Sequence, residues 1–319
     1  MPMTFWTHSR FSGTNPTTIF MVYEICENKY EFLKFLQEKG LISSRYKCPS
    51  CGKKMFLVDD YKISDGFEWK CSSFDKQGKH SCRRSIRKGS WFEHSSHSLQ
   101  DIILMSYFWY REYPHRIVQY EMQTGNNKIV LDWFNFCKGV CVDIVMHKSR
   151  PIGGKCIKIE LYESKFWKRT NVTGQKVQNQ WIFCGLERNT THCFLVAVND
   201  KSSKTILKIV EKYIMPGTII YSDVWKDTSF DQELYKHLTI DHKLIFQDME
   251  CEGNVNITEG IWTMIKRQFP ESKRSKSLFD GFIGEFMYRR MLSDIQDGFL
   301  QFLDDISKVY QPHTSDIVL

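Results

Sequence analysis

Four cysteines in the first third of the chain have the type and spacing of a metal site. Cys48 and Cys51 form a Cys-x-x-Cys pair, and Cys71 and Cys82 follow. Four thiolates suit a tetrahedral structural zinc ion, with no coordination position left open for catalysis. Because ten residues separate Cys71 from Cys82, His80 is an alternative to Cys82 as the fourth ligand. The sequence therefore predicts a small zinc ribbon.

A concentration of positive charge overlaps the end of this ribbon. Residues 43–150 contain 18 lysines and arginines against 11 aspartates and glutamates, a difference of 7 that equals the net charge of the whole chain. A positive field of this kind most often binds phosphate, although a basic face exposed only to solvent is the alternative. We predict double-stranded DNA as the partner, with the phosphate backbone held by Lys79, Arg83, Arg84, Arg87 and Lys88.

Composition narrows the class of protein. With 42% hydrophobic and 14% aromatic residues, the chain can bury a sizeable core. No segment approaches the ~20 consecutive apolar residues that span a bilayer, so no membrane partner is expected. Eleven cysteines without a secretory pattern favour reduced thiols. The expected location is nuclear in a eukaryotic host and cytoplasmic otherwise.

Three helices are predicted between the ribbon and the middle of the chain. The first begins after Ser98, the second opens at Pro114, and the third follows Gly125 and extends through Ile144. A helix, a tight glycine-containing turn and a second helix are typical of a helix-turn-helix. Its third helix would present Asn126, Asn127 and Lys128 to a major groove.

The periodicity changes after the Gly153-Gly154 pair. Strands are predicted at 155–162, 180–187, 192–198 and 218–222, with a helix from Ser202 to Tyr213 and later helices at 256–269, 276–292 and 299–309. This order fits an α+β or α/β domain of the ribonuclease-H-like kind, but other α+β domains share it. The expected domains are a tail and docking helix (1–45), the zinc ribbon (46–92), the helix-turn-helix (97–148), the ribonuclease-H-like domain (155–293) and a C-terminal helix and tail (294–319).

Sequence blocks along much of the chain resemble a known family. The blocks resemble the Merlin superfamily of cut-and-paste DDE transposases and their bacterial insertion-sequence relatives, which carry an N-terminal zinc ribbon. They comprise residues 69–71, 85–92, 132–137, 181–187, 221–225, 256–262 and 285–290.

The resemblance implies a ribonuclease-H-like core in which two aspartates and one glutamate hold two Mg²⁺ ions for DNA strand cleavage and transfer. Asp223 matches the second aspartate and Glu259 the glutamate, while Lys266 and Arg267 would touch DNA phosphates. Without the resemblance, Asp223 and Glu259 could equally be a strand-end acid and a helix-dipole acid.

The first aspartate of the family is absent. Tyr162 stands in its position within the block Ile159-Glu160-Leu161-Tyr162-Glu163-Ser164. A phenol with an unperturbed pKa of ~10 is neutral near pH 7 and does not bridge two hard cations as a carboxylate does. Strand alternation places Glu160 on the face of Tyr162 and Glu163 on the other.

Three hypotheses follow from this substitution. We favour a transposase-derived protein that keeps its zinc, fold and DNA binding while cleavage is impaired, with Mg²⁺ weakly held or lost. The first alternative is an active transposase that uses Glu160 as its first carboxylate. The second is an interaction scaffold that binds no DNA. Whether the chain acts as a homo-oligomer is left open.

Overall fold

The computed structural model describes residues 16–75, 78–170, 176–198, 200–222, 230–239 and 276–312. These residues belong to two compact units, Met1–Ile144 with Ile295–Leu319 and Val145–Asp294. No helix among the described residues is long and apolar enough to cross a membrane.

Six helices lie wholly or mainly in the described part of the first unit. Their buried faces contribute to a hydrophobic core in which Leu36, Ile102, Val130 and Phe302 are each fully buried. The helices are α1 (Ile19–Glu27), α2 (Lys29–Glu38), α3 (Leu99–Tyr110), α4 (His115–Glu121), α5 (Asn127–Lys148) and α8 (Gly298–Val309).

The predicted docking helix is α2, which begins after its N-cap Asn28. Helix α1 precedes it and was not predicted. It begins after Thr18, whose hydroxyl accepts a hydrogen bond from the Met21 N–H. Its sequence, IFMVYEICE, is apolar at nearly every position, so it has no apolar stripe at helical spacing by which a helix is predicted.

The C-terminal helix α8 packs inside the first unit. Phe299 lies edge-on to Tyr107 at 5.1 Å between ring centroids, and Phe302 lies 4.9 Å from Trp109. Asp297 caps α8 and also accepts hydrogen bonds from the backbone and the hydroxyl of Thr17. The aromatic face of the C-terminal helix therefore packs against α3 in the core of the first unit.

An antiparallel three-stranded sheet lies in the segment where the zinc ribbon was predicted. Its strands, in the order β1-β2-β3, are Phe56–Asp59, Phe67–Asp75 and Gly78–Ser85. The chain then leads to Trp91, whose ring packs against Trp133 and Phe136 of α5 at 5.3 and 5.9 Å. Helices α3, α4 and α5 correspond to the three predicted helices, and their helix-turn-helix arrangement stays a prediction.

The second unit is a mixed α/β structure around a five-stranded sheet. The strand order is β10-β9-β5-β6-β7, in which β5, β6 and β7 are antiparallel neighbours and β9 and β10 run parallel to β5. This topology is compatible with the predicted ribonuclease-H-like domain. The strands are β5 (Lys158–Thr170), β6 (Lys176–Glu187), β7 (Cys193–Val198), β9 (Ile219–Ser222) and β10 (Lys236–Thr239); β4 (Ile152–Gly153) pairs with β8 (Ile214–Met215), and the helices are α6 (Ser203–Tyr213) and α7 (Lys276–Met291).

The first hairpin differs from its predicted bounds at both ends. The first strand of the hairpin begins at Lys158 rather than Lys155, because Cys156 adopts a positive φ angle that an extended strand excludes. The hairpin also extends to Thr170 and back from Lys176. The part of the hairpin near Thr170 and Lys176 is mostly polar in sequence. It therefore lacks the alternation of apolar and polar residues that predicts a strand.

Close packing fixes the sheet beneath the site. A Cβ on Gly185 of β6 would lie 2.2 Å from the ring of Phe194 on β7, so only glycine fits under that ring. Phe194 in turn stacks on Tyr213 of α6 with centroids 5.1 Å apart. These contacts hold β6 and β7 flat against α6. The predicted helix at 256–269 lies outside the described residues.

Candidate metal centre, acidic site and nucleic-acid interface

Three cysteines and one histidine of the ribbon converge on one point. The ligand atoms of Cys48, Cys51, Cys71 and His80 all lie within 4.8 Å of one another. Cys51 Sγ lies 3.7 Å from Cys71 Sγ, and His80 Nε2 lies 3.6 Å from Cys48 Sγ and 3.5 Å from Cys71 Sγ.

These separations are the edges of a zinc tetrahedron. With Zn–S near 2.3 Å and Zn–N near 2.0–2.1 Å, tetrahedral angles place two sulfurs about 3.8 Å apart and a sulfur and a nitrogen about 3.6 Å apart. The three measured edges agree with these values to about 0.1 Å. The other three separations lie within 4.8 Å, so the four residues fit a closed Cys₃His zinc site.

The β2–β3 hairpin explains why His80 reaches the cluster. In its register Cys71 is opposite Cys82, and Ser73 is opposite His80. Residues two apart on a strand share a face, so Cys71, Cys82 and His80 all project to one side. The long imidazole at the diagonal position reaches the cluster, and Cys82 is not a member of it. The grouping thus contains the alternative ligand rather than Cys82.

The thiols of the cluster differ in how readily they ionise. Burial opposes ionisation of Cys48, but the backbone N–H groups of Cys51 and Ser50 and the His80 ring lower the pKa of its thiol to about 6. Burial, followed by the sulfurs of Cys51 and Cys48, raises the pKa of Cys71 to about 12. A zinc ion bound by these residues would favour the ionised thiols, because a coordinated thiol gives up its proton.

On the sheet of the second unit, Tyr162 stands where the resemblance expects an aspartate, and its hydroxyl contacts Glu160. The Tyr162 hydroxyl donates a hydrogen bond of 2.6 Å to Glu160 Oε2. Arg188 Nε donates one of 2.5 Å to Glu160 Oε1, and its guanidinium lies 4.4 Å above the ring of Tyr221. Glu160 is buried, with 9% of its surface exposed. Both oxygens of this carboxylate are therefore engaged by side chains of the same sheet.

The second acid of the block is also paired. Glu163 accepts a hydrogen bond of 2.6 Å from Lys201 Nζ, and the side chain of Glu163 is 10% exposed. The same ammonium lies 4.1 Å from the centroid of the Trp181 ring, a cation–π contact. Each glutamate next to Tyr162 thus has its own cation.

Strand β9 leads to the second predicted acidic position. It runs parallel to β5, with Glu160 opposite Tyr221 and Leu161 opposite Ser222. Ser222 Oγ lies 2.7 Å from His237 Nε2, which ties the end of β9 to β10, and burial lowers the pKa of His237. Asp223 follows Ser222 directly. Asp223, Glu259, Lys266 and Arg267 lie outside the described residues.

The predicted phosphate contacts differ in their surroundings. Arg87 is 7% exposed and makes a bidentate pair with Asp65, through Nε at 2.7 Å and Nη2 at 2.5 Å, while its Nη1 donates to the Ser95 carbonyl. It is therefore committed to the fold. Arg83 is 63% exposed with Glu68 at 3.3 Å.

Lys88 is 44% exposed and pairs with Glu93 at 2.8 Å. Arg84 lies opposite Trp69 in the hairpin register. The side chain of Lys79 lies outside the described residues.

The start of α5 is accessible. Asn126 and Lys128 are exposed and Asn127 is half-buried. Asn126 Oδ1 accepts the Lys128 N–H at 2.8 Å and so caps the helix. Because its Oδ1 is engaged in this cap, Asn126 would contact a DNA base through its side-chain amide nitrogen.

Sequence reasoning missed Arg188 and Lys201, the two cations that pair with the acidic block. Arg188 lies 28 positions from Glu160 and Lys201 lies 38 positions from Glu163. No local pattern predicts such pairs, because strand pairing and the β7–α6 turn bring them together.

Residues 152–290 match a family model described as an ISXO2-like transposase domain. The matched segment starts at β4 and ends within α7, a little under half of the chain. No curated protein matches the chain. The family match confirms the resemblance to DDE transposases that the sequence blocks indicated.

Proposed function

We propose that this chain, whose residues 152–290 carry the ISXO2-like transposase domain of a DDE transposase, is a transposase-derived DNA-binding protein in which metal-dependent strand cleavage is impaired. The family match supports the transposase origin. The hydrogen bond from Tyr162 to Glu160 is the observation that carries the impairment.

That hydrogen bond supports a neutral phenol at the position of the first aspartate. A hydroxyl that donates to a carboxylate is protonated, and a protonated phenol adds no negative charge to a cation site. Two Mg²⁺ ions need the carboxylate that they share in the family. Tyr162 supplies none, so the residues at this position do not fit a two-metal centre.

Glu160 is poorly placed to take over as the missing ligand. Its oxygens hold Arg188 at 2.5 Å and Tyr162 at 2.6 Å, and a metal would have to displace one of them. Displacing Arg188 would strand a guanidinium that is 26% exposed and stacked on Tyr221. Glu163 faces the same obstacle, because its partner is Lys201. This engagement disfavours the alternative of an active enzyme that uses Glu160.

DNA binding is supported by charge and by the front end of the chain. The Cys₃His cluster is suited to a structural zinc ion, which would hold β2 and β3 of a zinc ribbon. The turn before α5 would place Asn126, Asn127 and Lys128 at a groove in a helix-turn-helix. Arg83, Arg84 and Lys88 remain proposed contacts to the DNA phosphate backbone. Arg87 is not included, because its guanidinium is paired with Asp65.

The topology supports a ribonuclease-H-like assignment for the second unit. Three antiparallel strands, a helix and two further parallel strands place the ends of β5 and β9 side by side. Tyr162 comes directly after the segment of β5 that pairs with β9, and Asp223 comes directly after β9. On this proposal Asp223 and Glu259 are what remains of the ancestral acidic set.

The test measures binding and cleavage separately. The full chain is incubated with linear duplex DNA from the flanks of its own gene, with Mg²⁺ or Mn²⁺, beside Tyr162→Asp and the double variant Tyr162→Asp/Asp223→Ala. We expect the unmodified chain to bind without cutting, Tyr162→Asp to nick, and the double variant to lose the nicking.

Cleavage by the unmodified chain that Glu160→Gln abolishes would establish the active alternative. Absence of DNA binding at low salt would favour the scaffold alternative and overturn the proposal.

A further inference from the structure

The segment that carries the first zinc ligands has one exposed, positively charged side. Along 45–48 and 54–56 the exposed and buried positions alternate, with Tyr46, Cys48 and Met55 at 2%, 1% and 0% exposure. We call the opposite side the outer ribbon face, which consists of Arg45, Lys47, Lys54 and Phe56. Phe56 is 70% exposed there.

Two lysines of this face are held directly against each other. Lys47 and Lys54 form an antiparallel bridge, flanked by hydrogen bonds from the Cys48 N–H to the Lys53 carbonyl at 2.8 Å and from the Met55 N–H to the Tyr46 carbonyl at 2.8 Å. This pattern defines a non-hydrogen-bonded pair, the arrangement in which opposite side chains come closest. Like charges directly opposite each other destabilise a strand pair.

The described structure offers these cations no internal compensation. Within the described ranges, no carboxylate forms an ion pair with Arg45, Lys47 or Lys54. The cations further across the sheet do have a carboxylate partner. Lys70 lies opposite Phe56 and Arg83 lies opposite Lys70, and both cations form ion pairs with Glu68. Positive charge is therefore balanced on the β2–β3 part of this side and unbalanced at the zinc loop.

We infer that the outer ribbon face binds the phosphate backbone of duplex DNA, with Lys47 and Lys54 placed on adjacent phosphates. A zinc ion held by Cys48 and Cys51 would fix the loop between the two lysines, and so set their spacing before DNA binds. A phosphate bound at each ammonium group offsets the repulsion between the two lysines in the free protein. Phe56 supplies an apolar contact for deoxyribose at the edge of the same surface.

This inference rests on the proposed DNA binding and adds residues to it. The contacts proposed above lie on β3, just after it and at the start of α5, whereas Lys47 and Lys54 lie on either side of the loop that carries Cys48 and Cys51. A solvated basic surface is the ordinary alternative. It predicts that neutralising the two lysines changes neither the affinity nor its salt dependence beyond the general effect of charge.

The experiment compares two matched double variants of the full zinc-loaded chain. Lys47→Gln/Lys54→Gln neutralises the bridge, and Lys204→Gln/Lys208→Gln removes two exposed lysines one turn apart on α6, with the same change in net charge. Binding to a 30-base-pair duplex of mixed sequence is titrated from about 50 to 300 mM salt. Thermal unfolding of each protein is recorded in parallel.

For the bridge variant we expect affinity to fall roughly tenfold or more and the slope of log K against log salt to become shallower by about two units. Its thermal midpoint should stay level or rise, because a like-charge contact is removed. The α6 variant should bind nearly as the unmodified chain does.

Equal losses in both variants, or an unchanged slope in the bridge variant, would overturn the inference while leaving DNA binding intact. A chain that binds no duplex at all would instead remove the proposed function.

Discussion

Replacing Tyr162 by aspartate tests the lost-ligand reasoning through stability, without the need to know the DNA substrate. The substitution removes the hydrogen bond of 2.6 Å to Glu160. A hydrogen bond to a charged group contributes about 1.5–3 kcal/mol. It also places a second carboxylate on the same strand face, about 6.6 Å along β5. At that distance and an effective dielectric constant of about 20, the repulsion is about 2.5 kcal/mol.

Arg188 attracts both acids and offsets part of this repulsion, so we expect a net loss of roughly 3 kcal/mol in the metal-free protein. For a unit of this size, that corresponds to a midpoint lower by about 10 °C. A restored site regains stability with metal. At a Mg²⁺ concentration of about one hundred times Kd, the gain is about 2.7 kcal/mol.

The assay is thermal unfolding of the full chain with and without Mg²⁺, at constant ionic strength. Tyr162→Phe is the matched control, since it loses the hydrogen bond but adds no charge. It should be destabilised by about 2 kcal/mol and ignore Mg²⁺. If the unmodified chain gains as much from Mg²⁺ as Tyr162→Asp does, its carboxylates already hold the metal and the reasoning is refuted.

Three further outcomes are expected. Purified, reduced protein should contain one zinc per chain; His80→Ala should lose it and Cys82→Ser should keep it, and the reverse pattern in metal analysis would restore Cys82 as the fourth ligand. Arg87→Ala should destabilise the first unit by about 3–5 kcal/mol, because it strands Asp65, which is 6% exposed; DNA affinity of the folded fraction should hardly change, and a large loss of affinity would return Arg87 to the DNA contacts. Gly185→Ala should lower the unfolding free energy of the second unit by about 1–3 kcal/mol, since its Cβ would lie 2.2 Å from Phe194; an unchanged midpoint in denaturant would show that the ring can move aside.

The sequence by itself determined what depends on residue type and local spacing. Cys48 and Cys51 are close in sequence, so their shared role in a metal site is visible without a fold. Caps such as Ser98 and Ser202 predicted helix starts correctly, because capping depends on a side chain and the backbone two or three residues ahead. The relation to DDE transposases likewise followed from ordered blocks, and the family match bears it out.

The tertiary structure decided which side chains meet. It grouped His80 with three cysteines, because the hairpin register, rather than the count of cysteines, sets which ligand reaches the centre. It placed Arg87 in a buried ion pair, although by charge and position it resembled its exposed neighbours.

It also gave Glu160 and Glu163 their partners Arg188 and Lys201, which lie on other elements of the sheet domain. Contacts of this kind depend on strand register and on burial across long sequence separations. Charge and periodicity along a single segment carry no information about either.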